Sequence, residues 1–265
     1  MLFISTQVSA SFLPKNDLYI PVGDKSAGGI TEVEFNEVIS KVDAVYKPII
    51  ASKGATLVFE RNWTDGTVNA YANQAGKIWT VAMFGGLARS KEVTYEGFAL
   101  VVCHEMGHHL GGAPKYKRGG PWASNEGQSD YWSTLKCFRK VFGQDPKVIE
   151  VPAMVTDLCS KVWKNEEDMK VCEHSISGGQ SLAELLASLG GETVPTLDTP
   201  DKTKVTTTSD PHPAAQCRLD TYVAGSLCDM DEFVDVSDKD VNVGTCKSGL
   251  GARPLCWYAP KAKRR

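Results

Sequence analysis

The six residues His104–His109, read as H-E-M-G-H-H, constrain this chain more than any other stretch. They close the run Tyr95–Leu110, which has no proline and an apolar first half of Phe98, Ala99, Leu100, Val101 and Val102. That pattern predicts a buried helix. On a helix His104 and His108, four positions apart, lie on one face and can share a metal ion. Glu105 stands next along the helix and can hold a water against that ion. Gly111 and Gly112 follow, where a helix stop is expected. The plain alternative is a buried helix that happens to carry surface histidines.

Zinc in a catalytic site takes three protein ligands and leaves a position for water. The third should come from an element packed on the first helix. Residues 125–130 read N-E-G-Q-S-D, and Ser124 or Asn125 can cap a helix running from about Glu126 to Phe142. Leu135, Phe138 and Phe142 continue its apolar face. Glu126 is the expected third ligand. Asp130, on the same face, is the expected acceptor for the far ring N–H of a ligand histidine, which would fix its tautomer. The competing reading leaves both acids as ordinary residues of a helix N-terminus, where negative charge is favoured. One Zn2+ per chain is expected.

At these residues the chain resembles the gluzincin metallopeptidases. H-E-x-x-H followed by N-E-x-x-S-D is similar to their zinc site, and the second motif matches the thermolysin pattern. Asn69-Ala70-Tyr71 resembles the edge-strand motif that pairs with substrate backbone in such enzymes. The segment N-A-Y-A-N-Q-A-G-K-I-W-T-V-A-M-F-G-G-L resembles that before the zinc helix of the HtpX and CAAX-prenyl-protease type. Asp210-Pro211-His212-Pro213 with Arg218 is similar to that type's downstream His-Pro and Arg motif. The likeness covers about residues 67–135 and 210–220, and the membrane helices of the HtpX type are absent. It implies zinc-assisted hydrolysis of peptide bonds, with Glu105 as general base. It further implies His212 as a donor to the oxyanion, Arg218 as a partner of Asp130 or a brace for its helix, and Asn69 and Ala70 as substrate-binding residues. His109 lies one residue off the ligand face and reads as structural. His174 has no partner motif.

Before that site, Asp17–Val22 reads as a strand. Thr31 and Glu34 fit a capping box, and Phe35, Val38, Ile39, Val42, Val45 and Ile49 predict an amphipathic helix from Glu32 to about Ser52. Ala55–Glu60 is a further strand. Thr67–Asn73 and Ile78–Phe84 form a hairpin, with Asn69-Ala70-Tyr71-Ala72 as an accessible edge. Ala113–Ala123 is a Gly/Pro-rich loop carrying Lys115, Lys117 and Arg118. After Gln144 the signal weakens. Val151–Lys164 and Gln180–Leu189 read as short helices, Gly190–Ser209 as a mobile polar loop, and Pro211 or Pro213 starts a helix to about Leu227. The expected class is α+β and zincin-like: a small mixed or antiparallel sheet with an exposed edge strand, packed on the zinc helices. Residues 1–265 form a single peptidase domain on this reading, with 17–145 as sheet plus zinc helices and 146–209 as an irregular insert. Residues 210–265 are the His-Pro helix and a disulfide-tied extension.

The chain of 265 residues is 42% hydrophobic, enough for a core, and its net charge of −3 gives no sign of a nucleic-acid partner. The basic tail Lys261, Lys263, Arg264, Arg265 reads as a solvated end. No apolar run approaches the length of a membrane span. Eight cysteines, with no C-x-x-C pair, argue for disulfides and an exported protein, periplasmic or secreted. Their connectivity cannot be read from sequence. Val8-Ser9-Ala10 is either the cleavage site of a shortened export signal or part of an ordinary first strand. A zymogen, with the N-terminal segment or a cysteine blocking the metal, is not expected, and Cys103 beside the motif points off the ligand face. The expected partner is a peptide or protein substrate. The alternative is a zinc-containing binding or structural protein on the same frame. Retention of Glu105 and a glutamate ligand favours the enzyme, because structural zinc prefers four Cys/His ligands.

Overall fold

Helix α3 (Tyr95–Leu110) is the centre of the computed structural model, which describes residues 10–117, 121–143 and 149–260. Every residue from Gly97 to His109 in α3 is buried, as its apolar run requires. Thr94 caps its start by accepting from the Gly97 N–H. At its end Gly112 takes φ +71°, and a Cβ there would meet the Ser237 carbonyl at 2.8 Å. Only glycine suits that turn.

One face of α3 meets a four-stranded sheet of order β1-β3-β4-β2. The strands are β1 (Ala10–Ser11), β2 (Thr56–Asn62), β3 (Ala70–Ala75) and β4 (Ile78–Phe84). β3 and β4 form the expected antiparallel hairpin, and β2 runs parallel to β4. Helix α1 (Glu32–Ser52) has the predicted bounds, and the capping box of Thr31 and Glu34 is complete. Such a cap contributes about 1 kcal/mol. α1 buries Phe35, Val38, Ile39, Val42, Tyr46 and Ile50, and Phe35 packs on Phe98 of α3 at 5.1 Å between rings. A short helix α2 (Gly85–Arg89) follows β4.

Two expectations for the sheet are corrected. Asp17–Val22 is not a strand and makes a single bridge, Tyr19 to Thr67. Its backbone serves side chains instead: the Arg89 guanidinium donates twice to the Ile20 carbonyl, at 3.0 and 2.8 Å. The edge expected to be exposed at Asn69–Ala72 is covered. Ala10 and Ser11 pair with Ala72 and Tyr71. Unpaired edges invite a strand, and here the chain supplies one itself.

Helix α4 (Glu126–Trp132) packs on α3 and continues through a π-helical segment, Ser133–Phe138, into α5 (Arg139–Phe142). The sequence predicted one regular helix here. Helix α6 (Ala153–Ser160) is shorter than expected, and α7 (Glu166–Gly190) far longer. The pair Gly178-Gly179 inside α7 is a packing device. A Cβ at Gly178 would meet the Glu96 backbone at 2.8 Å, and one at Gly179 the Tyr222 side chain at 2.7 Å. α7 therefore lies close against α3 and against α8 (Ala215–Ser226).

All eight cysteines are paired: Cys103–Cys137, Cys159–Cys172, Cys217–Cys256 and Cys228–Cys246. The first joins α3 to the π-helical segment, with 5.5 Å between Cα atoms. The last two tie the C-terminal extension to α8 and its end. The loop 190–209, expected to be mobile, is laced to that extension by Val205 N–H to Leu255 O and Ser209 N–H to Trp257 O, at 2.9 and 2.8 Å. Trp257 is fully buried against Gly127 of α4, where a Cβ would lie 2.2 Å from the indole. Among the described residues no helix is long and apolar enough to cross a membrane. The readings for Met1–Ser9, Arg118, Gln144 and the basic tail fall outside the described residues.

Candidate metal centre

α3 supplies His104, Glu105 and His108, all fully buried, with potential ligand atoms within 4.8 Å of one another. α4 brings Glu126 against them from the facing side. Glu126 Oε2 lies 3.3 Å from His104 Nε2, and Oε1 lies 3.8 Å from His108 Nε2. Two donors of a tetrahedral ion with bonds of about 2.0–2.1 Å stand about 3.3 Å apart, so this spacing fits a metal. Glu105 Oε2 is further out, 4.0 Å from His108 Nε2.

The unsatisfied polar atoms make the same point. His104 Nε2, His108 Nε2, Glu126 Oε2 and both Glu105 oxygens are buried with no hydrogen-bond partner. A buried polar group left unpaired costs about 1–3 kcal/mol. Several facing each other in one place call for a ligand to satisfy them. Asp201, Cys217 and Cys256 also lie close together, but the two cysteines form a disulfide and are not donors.

The far ring nitrogens are fixed. His104 Nδ1–H donates to Asp130 Oδ1 at 2.7 Å, and His108 Nδ1–H to the Ser124 carbonyl at 2.8 Å. Both rings thereby turn Nε2 toward the cluster. Asp130 is held in turn by Arg218, through Nε and Nη2 at 2.7 Å each, and by the Tyr222 hydroxyl at 2.7 Å. Arg218 from α8 is fully buried, so α8 is anchored to the cluster by charge as well as by packing.

Charge is distributed unevenly over the donor set. Burial alone lowers His104, but the Asp130 carboxylate, with Glu126 behind it, raises it to about 9. Burial takes His108 down to about 4. Glu105 is pushed up to about 8, chiefly by burial. Burial works to raise Glu126, yet the charges of His108, His104 and His212 hold it below the ordinary carboxylate range. Burial thus works to raise both acids, and the neighbouring histidine charges outweigh it only at Glu126.

His212 lies just before α8 and reaches the cluster, with Nε2 3.3 Å from Glu126 Oε2. Its nearest bond is to the Ser11 carbonyl, at 2.7 Å. Asn69 immediately precedes β3, and Ala70 opens it. The Asn69 side chain bonds both Leu13 N–H and Leu13 O, at 3.0 and 3.2 Å. His109 faces away from the cluster, stacked between Trp79 and Trp122, with burial lowering it to about 3. His174 pairs with Glu96 at 3.2 Å.

Sequence reasoning missed three neighbours. The Tyr116 hydroxyl donates to Glu126 Oε1 from the loop between the two motif helices. Burial and then the Glu126 charge push that phenol well up. Tyr222 stands four residues after Arg218 on α8, a helical spacing that could have marked it. Phe12 packs edge-on to the His104 ring at 5.3 Å and carries no local signal. Comparison of the chain with protein-family models, with curated proteins and with solved structures finds no match.

Proposed function

We propose that the chain is a zinc-dependent peptidase of gluzincin type, with a zincin-like fold around α3 and α4. The observation that carries this reading is the convergence of unsatisfied donors from His104, His108 and Glu126 beside a buried, unpaired Glu105. Those three would hold one zinc ion. Bound there, zinc supplies Lewis acidity and a water that ionises near neutral pH.

The chain's own residues do the rest. Glu105 takes a proton from the attacking water at its carboxylate and passes it to the leaving nitrogen. His212 Nε2–H is the donor for the oxyanion that forms at the attacked carbonyl. Asp130 and Arg218 position His104, and the Tyr116 hydroxyl steadies Glu126. Asn69 and the Ala70 backbone hold an extended peptide by strand addition. Four disulfides are compatible with an oxidising compartment, which supports export.

A second reading, a zinc protein without activity, draws on the covered edge of β3. The test is cleavage of an unfolded protein with and without zinc, using Glu105→Gln as control. The peptidase predicts zinc-dependent cleavage that the substitution abolishes while zinc content stays whole. Equal cleavage by both proteins removes Glu105 from the mechanism. No cleavage by a zinc-loaded chain whose residues 10–13 have been freed from β3 favours the inactive frame.

A further inference from the structure

Residues 10–13 run along β3 and bring Ser11 and Phe12 against residues of the metal centre. Ala10 and Ser11 pair antiparallel with Ala72 and Tyr71 of β3. The Ser11 carbonyl accepts from His212 Nε2 at 2.7 Å, and that nitrogen is 3.3 Å from Glu126 Oε2. Phe12 N–H donates to the Ala70 carbonyl at 3.1 Å, and Phe12 O accepts from Arg218 Nη1 at 2.9 Å. Leu13 is bracketed by the Asn69 amide on both its N–H and its carbonyl. The Phe12 side chain is fully buried, edge-on to His104 and beneath the Arg218 guanidinium at 4.5 Å.

A strand that merely covers an edge needs ladder bonds to its neighbour. This one also engages Asn69, before β3, and His212 and Arg218, which reach the metal centre through Glu126 and Asp130. Its one carbonyl on His212 belongs to the residue before a buried aromatic. Backbone held by an edge strand, with one side chain sunk in a closed apolar site, is how extended peptides are recognised.

We propose that residues 10–13 are the chain's own first substrate, with the Ser11–Phe12 bond presented at the metal centre. The proposal rests on the peptidase reading and names a substrate for it. Water adds its hydroxyl to the Ser11 carbonyl carbon and the bond to the Phe12 nitrogen breaks. The proton taken by Glu105 goes to that nitrogen, and nothing is oxidised or reduced. Until the strand leaves, other peptides are shut out. A second peptide must bring a comparable apolar side chain to the place of Phe12.

Two measurements on the full chain test this. The zinc-loaded protein is incubated and its intact mass followed, beside Glu105→Gln. The expected product begins at Phe12, and the variant keeps residues 1–11. A protein that cuts added unfolded protein while leaving Ser11–Phe12 whole overturns the proposal and leaves the peptidase reading standing. The second measurement needs no catalysis. Amide hydrogen exchange is followed on Glu105→Gln with an excess of the peptide A-S-F-L-P-K-N, which copies residues 10–16. The Phe12 and Leu13 amides should exchange about tenfold faster as the peptide displaces the strand. Unchanged exchange at saturating peptide means that the strand is fixed structure, and overturns the proposal. The variant Phe12→Gly with Leu13→Gly, checked for intact disulfides, releases the strand. If it still cuts no added protein with zinc bound, both readings fall together.

Discussion

Replacing Arg218 by methionine strips one partner from a buried ion pair and leaves the other in place. Arg218 and Asp130 are both fully buried and share two bonds of 2.7 Å. Breaking such a pair costs about 3–5 kcal/mol, because the remaining charge is uncompensated. Asp130 keeps the His104 ring N–H and the Tyr222 hydroxyl, which places the expected loss near the lower end, about 3 kcal/mol. Burial works to raise Asp130, and the Arg218 charge, ahead of His104, holds it below its ordinary 3.8. A depressed carboxylate contributes stability above its unfolded pKa, and that stability is lost as pH falls through the folded value. Without Arg218 the folded-state Asp130 moves back toward its unfolded value, so the part of the acid limb that Asp130 contributes should shrink in Arg218→Met. The assay is urea unfolding with disulfides intact, at neutral pH and across the acid range. Adding Asp130→Asn removes the stranded charge, so the double variant should lose less than the sum of the two single losses, by about 1–3 kcal/mol. Zinc affinity should fall about 10- to 100-fold, because Asp130 without its Arg218 brace holds the His104 ring less firmly. A single variant within about 0.5 kcal/mol of the parent, with full zinc affinity, refutes the argument.

Glu126→Ala should lose most of its zinc by metal analysis, and full retention with normal turnover removes Glu126 from the ligand set. Gly127→Ala, which sets a methyl against the Trp257 ring, should cost about 1–3 kcal/mol and weaken zinc binding through Glu126; an unperturbed melting curve would show that the helix can shift freely. Lys136 is buried and its amine is lowered to about 8, by burial and then by Arg139. Unfolded lysine keeps its proton to about 10.4. Between those values the unfolded chain binds more protons, so stability rises with pH, and urea midpoints should show a rise that Lys136→Met lacks.

The two motif helices and α1 were legible because each advertises itself locally, by ligand spacing, by a cap or by apolar period. Glu126, Asp130, His212 and Arg218 were named from sequence and do meet around His104 and Glu126 in space. The covered edge was not legible. Ala10–Leu13 pairs with residues some sixty positions away, and nothing in four small or apolar residues specifies that partner. α7 was hidden by its glycine pair, which local rules read as a breaker and packing against Glu96 and Tyr222 requires. Tyr116 escaped because its role depends on how the loop between two helices folds back on Glu126.

The Cys103–Cys137 crosslink adjoins His104 on one side and lies on the continuation of the Glu126 helix on the other. It makes chelation and reduction unequal insults. With the crosslink in place the donors stand assembled, so a metal ion binding there would have little ordering to impose. A reduced chain must draw on metal-binding energy to bring the two helices together. On the proposed zinc site, maturation would have a direction: oxidation would build the receptacle, and metal would fill it afterwards. In a compartment that supplies metal but no oxidant, the same sequence would load weakly and release readily.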